Sequence, residues 1–160
     1  MSTRVGDRLD DALLDRLSGA RADGPVHEAV LVATVDERGR PHPALLGPGE
    51  ILAVDPTRLR LAVPAASTTA RNLAARGAVT LCLIAPAGVA YVKAAARPLP
   101  AEPFLAGQGL AAFEVHIEDV LADAPAASEA ARLATGITFT TDDPAFSRDR
   151  AARLDALRRA

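Results

Sequence analysis

Arg58-Leu59-Arg60-Leu61-Ala62-Val63-Pro64-Ala65-Ala66-Ser67-Thr68-Thr69-Ala70-Arg71-Asn72-Leu73 runs a short alternating strand into a hydroxyl-rich turn that opens a helix. Such a turn has two readings. Ser and Thr are preferred N-cap residues for reasons that need no ligand. Equally, three hydroxyl side chains beside the free N–H groups of a helix's first turn can hold an anion such as a phosphate, with the helix dipole adding partial positive charge. The rest of the chain sets the context in which these readings compete.

A chain of 160 residues has the length of one ordinary domain, and 1–160 is read as one. With 18 basic against 20 acidic residues, it lacks the electrostatic footprint of a nucleic-acid binder. Four Phe, one Tyr and no Trp leave little for a base-stacking platform. The single Cys82 excludes an intrachain disulfide framework, and within the apolar run Val79–Ile84 it reads as a buried, inert thiol. The N-terminus, Met1-Ser2-Thr3-Arg4-Val5-Gly6-Asp7, carries charge where a secretory signal needs an apolar core, and no apolar run approaches transmembrane length. No membrane association and a cytoplasmic location are the expectation.

Along the chain, Leu9, Leu13, Leu14 and Leu17 mark an amphipathic helix over Asp7–Ala22, ended by Gly24-Pro25. Strands follow. Ala29–Val35 leads into the turn Asp36-Glu37-Arg38-Gly39-Arg40, with Gly39 placed for positive φ, and a return strand runs from Pro41 to Leu46. Gly47-Pro48-Gly49 interrupts, Ile51–Val54 resumes, and Asp55-Pro56-Thr57 turns the chain into Leu59–Val63. The helix Ser67–Arg76 closes on Gly77. Val79–Ile84 and Val89–Ala96 form the next pair. After a Pro-rich connection at 98–103, a strand over Ala111–Leu121 alternates Phe113, Val115 and Ile117 with Glu114, His116 and Glu118. About six short strands with one inserted helix predict a mainly β fold with flanking helices, a six-stranded antiparallel barrel.

The order Ala33-Thr34-Val35-Asp36, Gly39, Arg40-Pro41-His42-Pro43, Ser67-x-Thr69-x-x-Asn72-Leu73 and Val92-Lys93-Ala94 resembles the pyridoxamine 5′-phosphate oxidase-like flavin-binding split barrels, over roughly Val26 to Asp123. The resemblance implies a six-stranded antiparallel split β-barrel at 26–123, to which the residues' own periodicity adds an N-terminal helix within 1–25 and a helical tail at 124–160. It also implies a homodimer holding FMN at two clefts between subunits. His42, Pro43 and Ala44, within Pro41–Leu46, and Leu61, Ala62 and Val63 would line the isoalloxazine, while Ser67, Thr68 and Thr69 would take the phosphate. Many relatives carry Arg or Lys at the positions of Thr68 and Thr69, so here Arg71, from the next turn, is one candidate to neutralise it and Arg40 another. The alternatives are a solvated helix-surface arginine for Arg71 and a solubilising hairpin residue for Arg40. The implied activity is hydride transfer between N5 of FMN and a small molecule or a nicotinamide. No residue presents itself as an obligatory acid or base. Pyridoxamine phosphate oxidation is not assigned, because Arg148, Arg150 and Arg153 are the sole basic cluster in the tail and read as a solvated helix face.

Three alternatives stand beside it. F420 can occupy the same cleft in the wider superfamily. A non-catalytic module would bind flavin or haem, the latter through His42 or His116. A structural dimer would leave the cleft empty. Lys93 between inward Val92 and Ala94 reads as an outward lysine, and the histidines lack the close spacing of a metal motif. Glu114, Glu118, Asp119 and Asp123 read as a solvated acidic face. The tail is expected to contain a short helix at Ser128–Leu133 and a final helix to Ala160, whose Leu154 and Leu157 need an apolar partner. The resemblance puts the tail over the partner's cleft; packing on its own barrel is the alternative.

Overall fold

Val30, Val32 and Thr34 are buried and alternate with half-buried Leu31, Ala33 and Val35, the period-two pattern that sets one face of a strand against a core. The computed structural model describes residues 2–20, 26–124 and 133–160. Its elements are β1 (Thr3–Gly6), α1 (Asp11–Leu17), β2 (His27–Glu28), β3 (Val30–Val35), β4 (Pro41–Leu46), β5 (Ile51–Asp55), β6 (Arg58–Pro64), α2 (Thr68–Arg76), β7 (Ala78–Ala85), β8 (Gly88–Pro98), α3 (Pro103–Gly107), β9 (Leu110–Asp123), β10 (Thr138–Phe139) and α4 (Phe146–Arg159). Among the described residues no helix is long and apolar enough to cross a membrane.

One antiparallel sheet runs β4-β3-β7-β8-β9-β6-β5, with β1 added against β9, while β2 and β10 form a separate two-stranded ladder. The main sheet therefore has eight strands rather than six. Its curl follows from connectivity. β4 and β5 are the two ends of the strand order, yet residues 47–50 alone join them. Seven strands laid flat would separate those edges by about 29 Å, whereas four residues span at most about 14 Å. The sheet must roll into a half-barrel. The Glu50 carboxylate fixes the connection by accepting the Gly47 N–H at 2.6 Å. β4 has one neighbour, so Pro41 and Pro43 are tolerated in it as edge-strand prolines.

Inside the roll lie Val32, Leu59, Leu61, Val63, Leu73, Leu81, Val92, Val115 and Val120, all under 2% exposed. Each buried aliphatic side chain of this kind contributes about 1.5–3 kcal/mol. A second apolar cluster, on the outside of the sheet, joins Leu52, Ala62 and Ala112 to Leu105 of α3 and to Leu154, Ala156 and Leu157 of α4. Arg60 donates to the Leu157 and Arg158 carbonyls at 2.6 and 3.0 Å, satisfying the C-terminal end of α4. The tail helix thus covers its own barrel, the arrangement that stood as the alternative.

Three further elements differ from the sequence reading. α1 begins after Asp10, whose carboxylate caps Leu13 N–H at 2.8 Å, because the cap interrupts the leucine periodicity after Leu9. α3 occupies part of the expected connection, with Glu102 accepting the Leu105 N–H as its cap. The two-residue β10 lies where no strand was expected. The expected helix at 128–133 and the end of the first helix, with Gly24-Pro25, lie outside the described residues apart from Leu133.

Glu114 corrects the solvated acidic face. Its side chain is 6% exposed, covered by ion pairs with Arg97 and, at 4.0 Å, Arg58, and by His116 Nε2 at 3.2 Å. Burial pushes its carboxyl up, but Arg97 and then His116 outweigh this and leave it below the ordinary value. Asp55 behaves alike: burial raises it, while the Thr57 N–H and hydroxyl and the Arg58 guanidinium hold it down to about 2. Both carboxylates stay ionised in the folded chain at pH values where the unfolded chain takes up protons, near the ordinary values of about 4. Their contribution is therefore present above about pH 4; it is lost for Asp55 as pH falls toward about 2, and for Glu114 as pH falls below the ordinary carboxyl range. Calorimetry should show a melting temperature that declines between about pH 4 and 2, with a shallower decline in Asp55→Asn; parallel profiles for the two proteins would contradict it.

Candidate functional site

α2 is a local consequence of its ends. Ser67, extended at φ −73° and ψ 157°, accepts the Ala70 N–H on Oγ at 3.0 Å, and Gly77 closes the helix at φ +66°. A Cβ at Gly77 would stand 2.8 Å from the Ala96 carbonyl oxygen, so both the conformation and the space demand glycine. Leu73, Ala70 and Thr69 face inward, leaving Ser67 and Thr68 half-buried at the mouth.

Arg71 folds back over that mouth. Its guanidinium donates to the Ala66 carbonyl at 2.9 Å and to the Thr68 hydroxyl at 2.8 Å, which sets a fixed cation beside the hydroxyl turn. The Thr68 and Thr69 N–H groups belong to the first turn and have no intrahelical carbonyl to meet. Ser67 spends an oxygen lone pair on its cap and keeps its hydroxyl proton to donate. Together these groups form a donor-rich, cationic concavity suited to a phosphate.

β4 lies close to this turn through a buried polar contact. The Asn72 amide donates to the Thr34 hydroxyl at 2.9 Å, and Thr34 in turn donates to the His42 carbonyl at 3.4 Å. On β4, His42 and Ala44 are half-buried and Pro43 is exposed, so this segment presents surface to a ligand. Leu61, Ala62 and Val63 do not: they are 0%, 0% and 1% exposed, with Leu61 and Val63 in the barrel interior and Ala62 beneath α4. The sequence pattern showed Thr34 and Asn72 without indicating that they meet.

The other titratable residues lie elsewhere. Lys93 is exposed between buried Val92 and Ala94, as expected. His116 belongs to the Glu114 cluster on the outside of β9. His27, 7% exposed, packs between Phe139 and Phe146 with ring centroids 5.4 and 4.5 Å away. In the tail, Arg148 is solvated, Arg153 donates to the Gln108 side chain at 3.0 Å, and Arg150 lines a cavity, so the solvated helix face holds for Arg148 alone. That cavity, of about 270 Å³, lies between α1, the 47–50 connection and α4, and of the segment Pro41–Leu46 it includes Leu46 alone, without His42, Pro43, Ala44 or any residue of the hydroxyl turn. Cys82 is half-buried rather than buried, and burial raises its thiol above the ordinary value.

A rolled antiparallel sheet with a helix seated between β6 and β7 and helices on its outer face is a split barrel. Residues 21–142 match the pyridoxamine 5′-phosphate oxidase family, and the chain belongs to it. The uncharacterized protein YclD of Bacillus subtilis (strain 168) is 33% identical over 92 residues, 58% of this chain. The chain spans about 60% of the length of that relative. Among solved structures, HupZ of Group A Streptococcus superposes at a TM-score of 0.54 with 14% identity, covering 74% of this chain and 98% of that one. An FMN-binding protein from Syntrophomonas wolfei does so at 0.52 with 14% identity, covering 73% and 90%. At these identities the two superpositions establish the shared fold.

Proposed function

We propose that the chain is an FMN-binding oxidoreductase acting on a small organic molecule, with the cofactor phosphate at Ser67, Thr68 and Thr69 and its charge met by Arg71. The observation that carries this reading is the Arg71 guanidinium held over the hydroxyl turn. A plain helix cap needs Ser67 but has no use for a cation at the positive end of the helix dipole, where an arginine is unfavourable unless an anion joins it. FMN, when bound, supplies reversible hydride acceptance at N5. The chain's own part is to bind and orient: Ser67, Thr68 and the first-turn N–H groups hold the phosphate, while the β4 segment His42–Ala44 runs beside it with His42 and Ala44 on one face and Pro43 on the other.

In this reading a second copy packs against the outward face of the sheet, the face of β4 that carries Pro43 and Leu45. The outward row Leu45, Leu31, Cys82, Tyr91 and Leu121 crosses five strands in register, with Leu45 57% exposed. An antiparallel sheet with a solvated face alternates to polar residues there, whereas this row is apolar. A homodimer through this face buries about 2,000 Å² or more, as stable dimers do. Sedimentation of the parent should give a dimer at micromolar concentration, and Leu45→Asp should shift it toward monomer; a monomeric parent would contradict the dimer.

The functional reading is tested by mixing the protein separately with FMN, F420 and haem, removing free ligand by gel filtration, and recording the visible spectrum. FMN should co-elute, and NADH or NADPH should bleach the bound flavin anaerobically faster than free FMN. Co-elution of F420 or haem in its place would transfer the site to that ligand. Retention of FMN without accelerated reduction would leave a binding module.

A further inference from the structure

We infer that Asn72 and Thr34 are positioning residues for the cofactor, forming a buried relay that sets the spacing between the phosphate turn of α2 and the His42–Ala44 segment of β4. This inference rests on the FMN reading above.

The contact has a physical peculiarity. α2 is already seated by Leu73 at 0% and Ala70 at 5% exposure, which suffice to pack a helix on a sheet. Asn72 and Thr34, at 7% and 1% exposure, nevertheless put two polar side chains into the same seam. Buried polar groups are costly unless partnered, and here they are partnered with each other. The Asn72 amide donates to the Thr34 hydroxyl at 2.9 Å, so the hydroxyl proton is directed away from Asn72, to the His42 carbonyl at 3.4 Å. An apolar pair would hold the helix without specifying its register on the sheet. The hydrogen-bonded pair specifies it.

What the relay connects is also particular. Asn72 lies five residues after Ser67, on the same short helix whose first turn carries the Arg71 guanidinium. His42 lies between Pro41 and Pro43 on an edge strand, and neither proline has an N–H to give the β3 ladder. The Thr34 hydroxyl adds a side-chain bond to the His42 carbonyl, beside the backbone ladder that pairs β3 with β4. A second tie, Arg76 donating to the Glu37 carbonyl at 2.8 Å, holds the C-terminal end of α2 to the β3–β4 turn. The helix and the hairpin are thus tied at two places, and the relay is the tie nearer to the hydroxyl turn.

The test compares Thr34→Val, which keeps the shape and removes the hydroxyl, with Thr34→Ser, which keeps the hydroxyl, and with Asn72→Ala. FMN affinity is read from flavin fluorescence quenching, ring orientation from visible circular dichroism, and stability from the melting temperature. Leu105→Ala, in the cluster beneath α4, serves as a control for stability loss away from the turn. Thr34→Val and Asn72→Ala should weaken FMN about three- to tenfold, the worth of one neutral hydrogen bond, and alter the dichroism of the bound flavin. Thr34→Ser should restore both, and Leu105→Ala should change neither. Should Thr34→Val fail to fold, the comparison of Asn72→Ala with Thr34→Ser carries the same outcome. Parental FMN affinity in Thr34→Val and Asn72→Ala, with a lowered melting temperature, would make the pair ordinary core packing and overturn the inference. A parent that binds no FMN would instead overturn the cofactor reading and the relay's role with it.

Discussion

Arg71→Ala should weaken FMN binding by about ten- to a hundredfold, because the guanidinium is the cation fixed at the hydroxyl turn and a hydrogen bond to a charged group contributes about 1.5–3 kcal/mol. The substitution removes the donations to the Ala66 carbonyl and the Thr68 hydroxyl. Both lie on an exposed stretch, so the melting temperature of the protein without cofactor should move by no more than about 2 °C, as for a surface change. Arg71→Lys should recover part of the affinity, since it restores the charge but not the forked geometry. Isothermal titration of parent and variants reads all three values. Unchanged affinity in Arg71→Ala would place the phosphate elsewhere.

Leu157→Ala should produce the largest loss of stability. Leu157 is 0% exposed and packs with Leu154 of α4, Leu105 of α3, and Leu52, Ala62 and Ala112 on the outside of the sheet. Truncating a leucine so enclosed costs about 3 kcal/mol, within a range of 2–5, and for a domain of this size that lowers the melting temperature by about 6–12 °C. Because α4 covers its own barrel, the difference between variant and parent should be the same at every protein concentration. A difference that grows on dilution would mean that the tail packs on a neighbour.

The strands were legible because alternation reports direction. Val30 to Val35 and Val79 to Ile84 place Val32, Leu81 and Leu83 inward as their spacing requires. α2 was legible at both ends, Ser67 and Gly77, because capping chemistry is local. β1 was not: Thr3–Gly6 is exposed along three of its four residues and is held by pairing to β9, which a four-residue stretch cannot announce. Glu114 shows a different limit. Alternation gave its direction correctly, away from Phe113 and Val115, but solvation depends on Arg97, Arg58 and His116 closing over it from three positions in the chain. Ala62 is the same case on an apolar scale. It faces outward between Leu61 and Val63 and is buried because α4, nearly a hundred residues later, lies on it.

The candidate site divides along the same line. The hydroxyl turn Ser67–Thr69 was readable from its local motif, Arg71 and the β4 segment at His42 came in through the family resemblance, and the fold ties the two stretches together through Asn72 and Thr34. The family resemblance implied Leu61, Ala62 and Val63 as ring-lining, while the fold buries the side chains of Leu61 and Val63 in the barrel interior and Ala62 beneath α4.

The central claim, a phosphate site at the start of α2 that serves a flavin, is tested most directly by titrating the purified protein with FMN and, in parallel, with riboflavin, which has the same ring system and no phosphate. The account predicts that FMN binds at least about tenfold more tightly, the equivalent of one charge-assisted hydrogen bond, and that Arg71→Ala removes most of that preference. Equal affinities for the two flavins, or binding of neither, would contradict it.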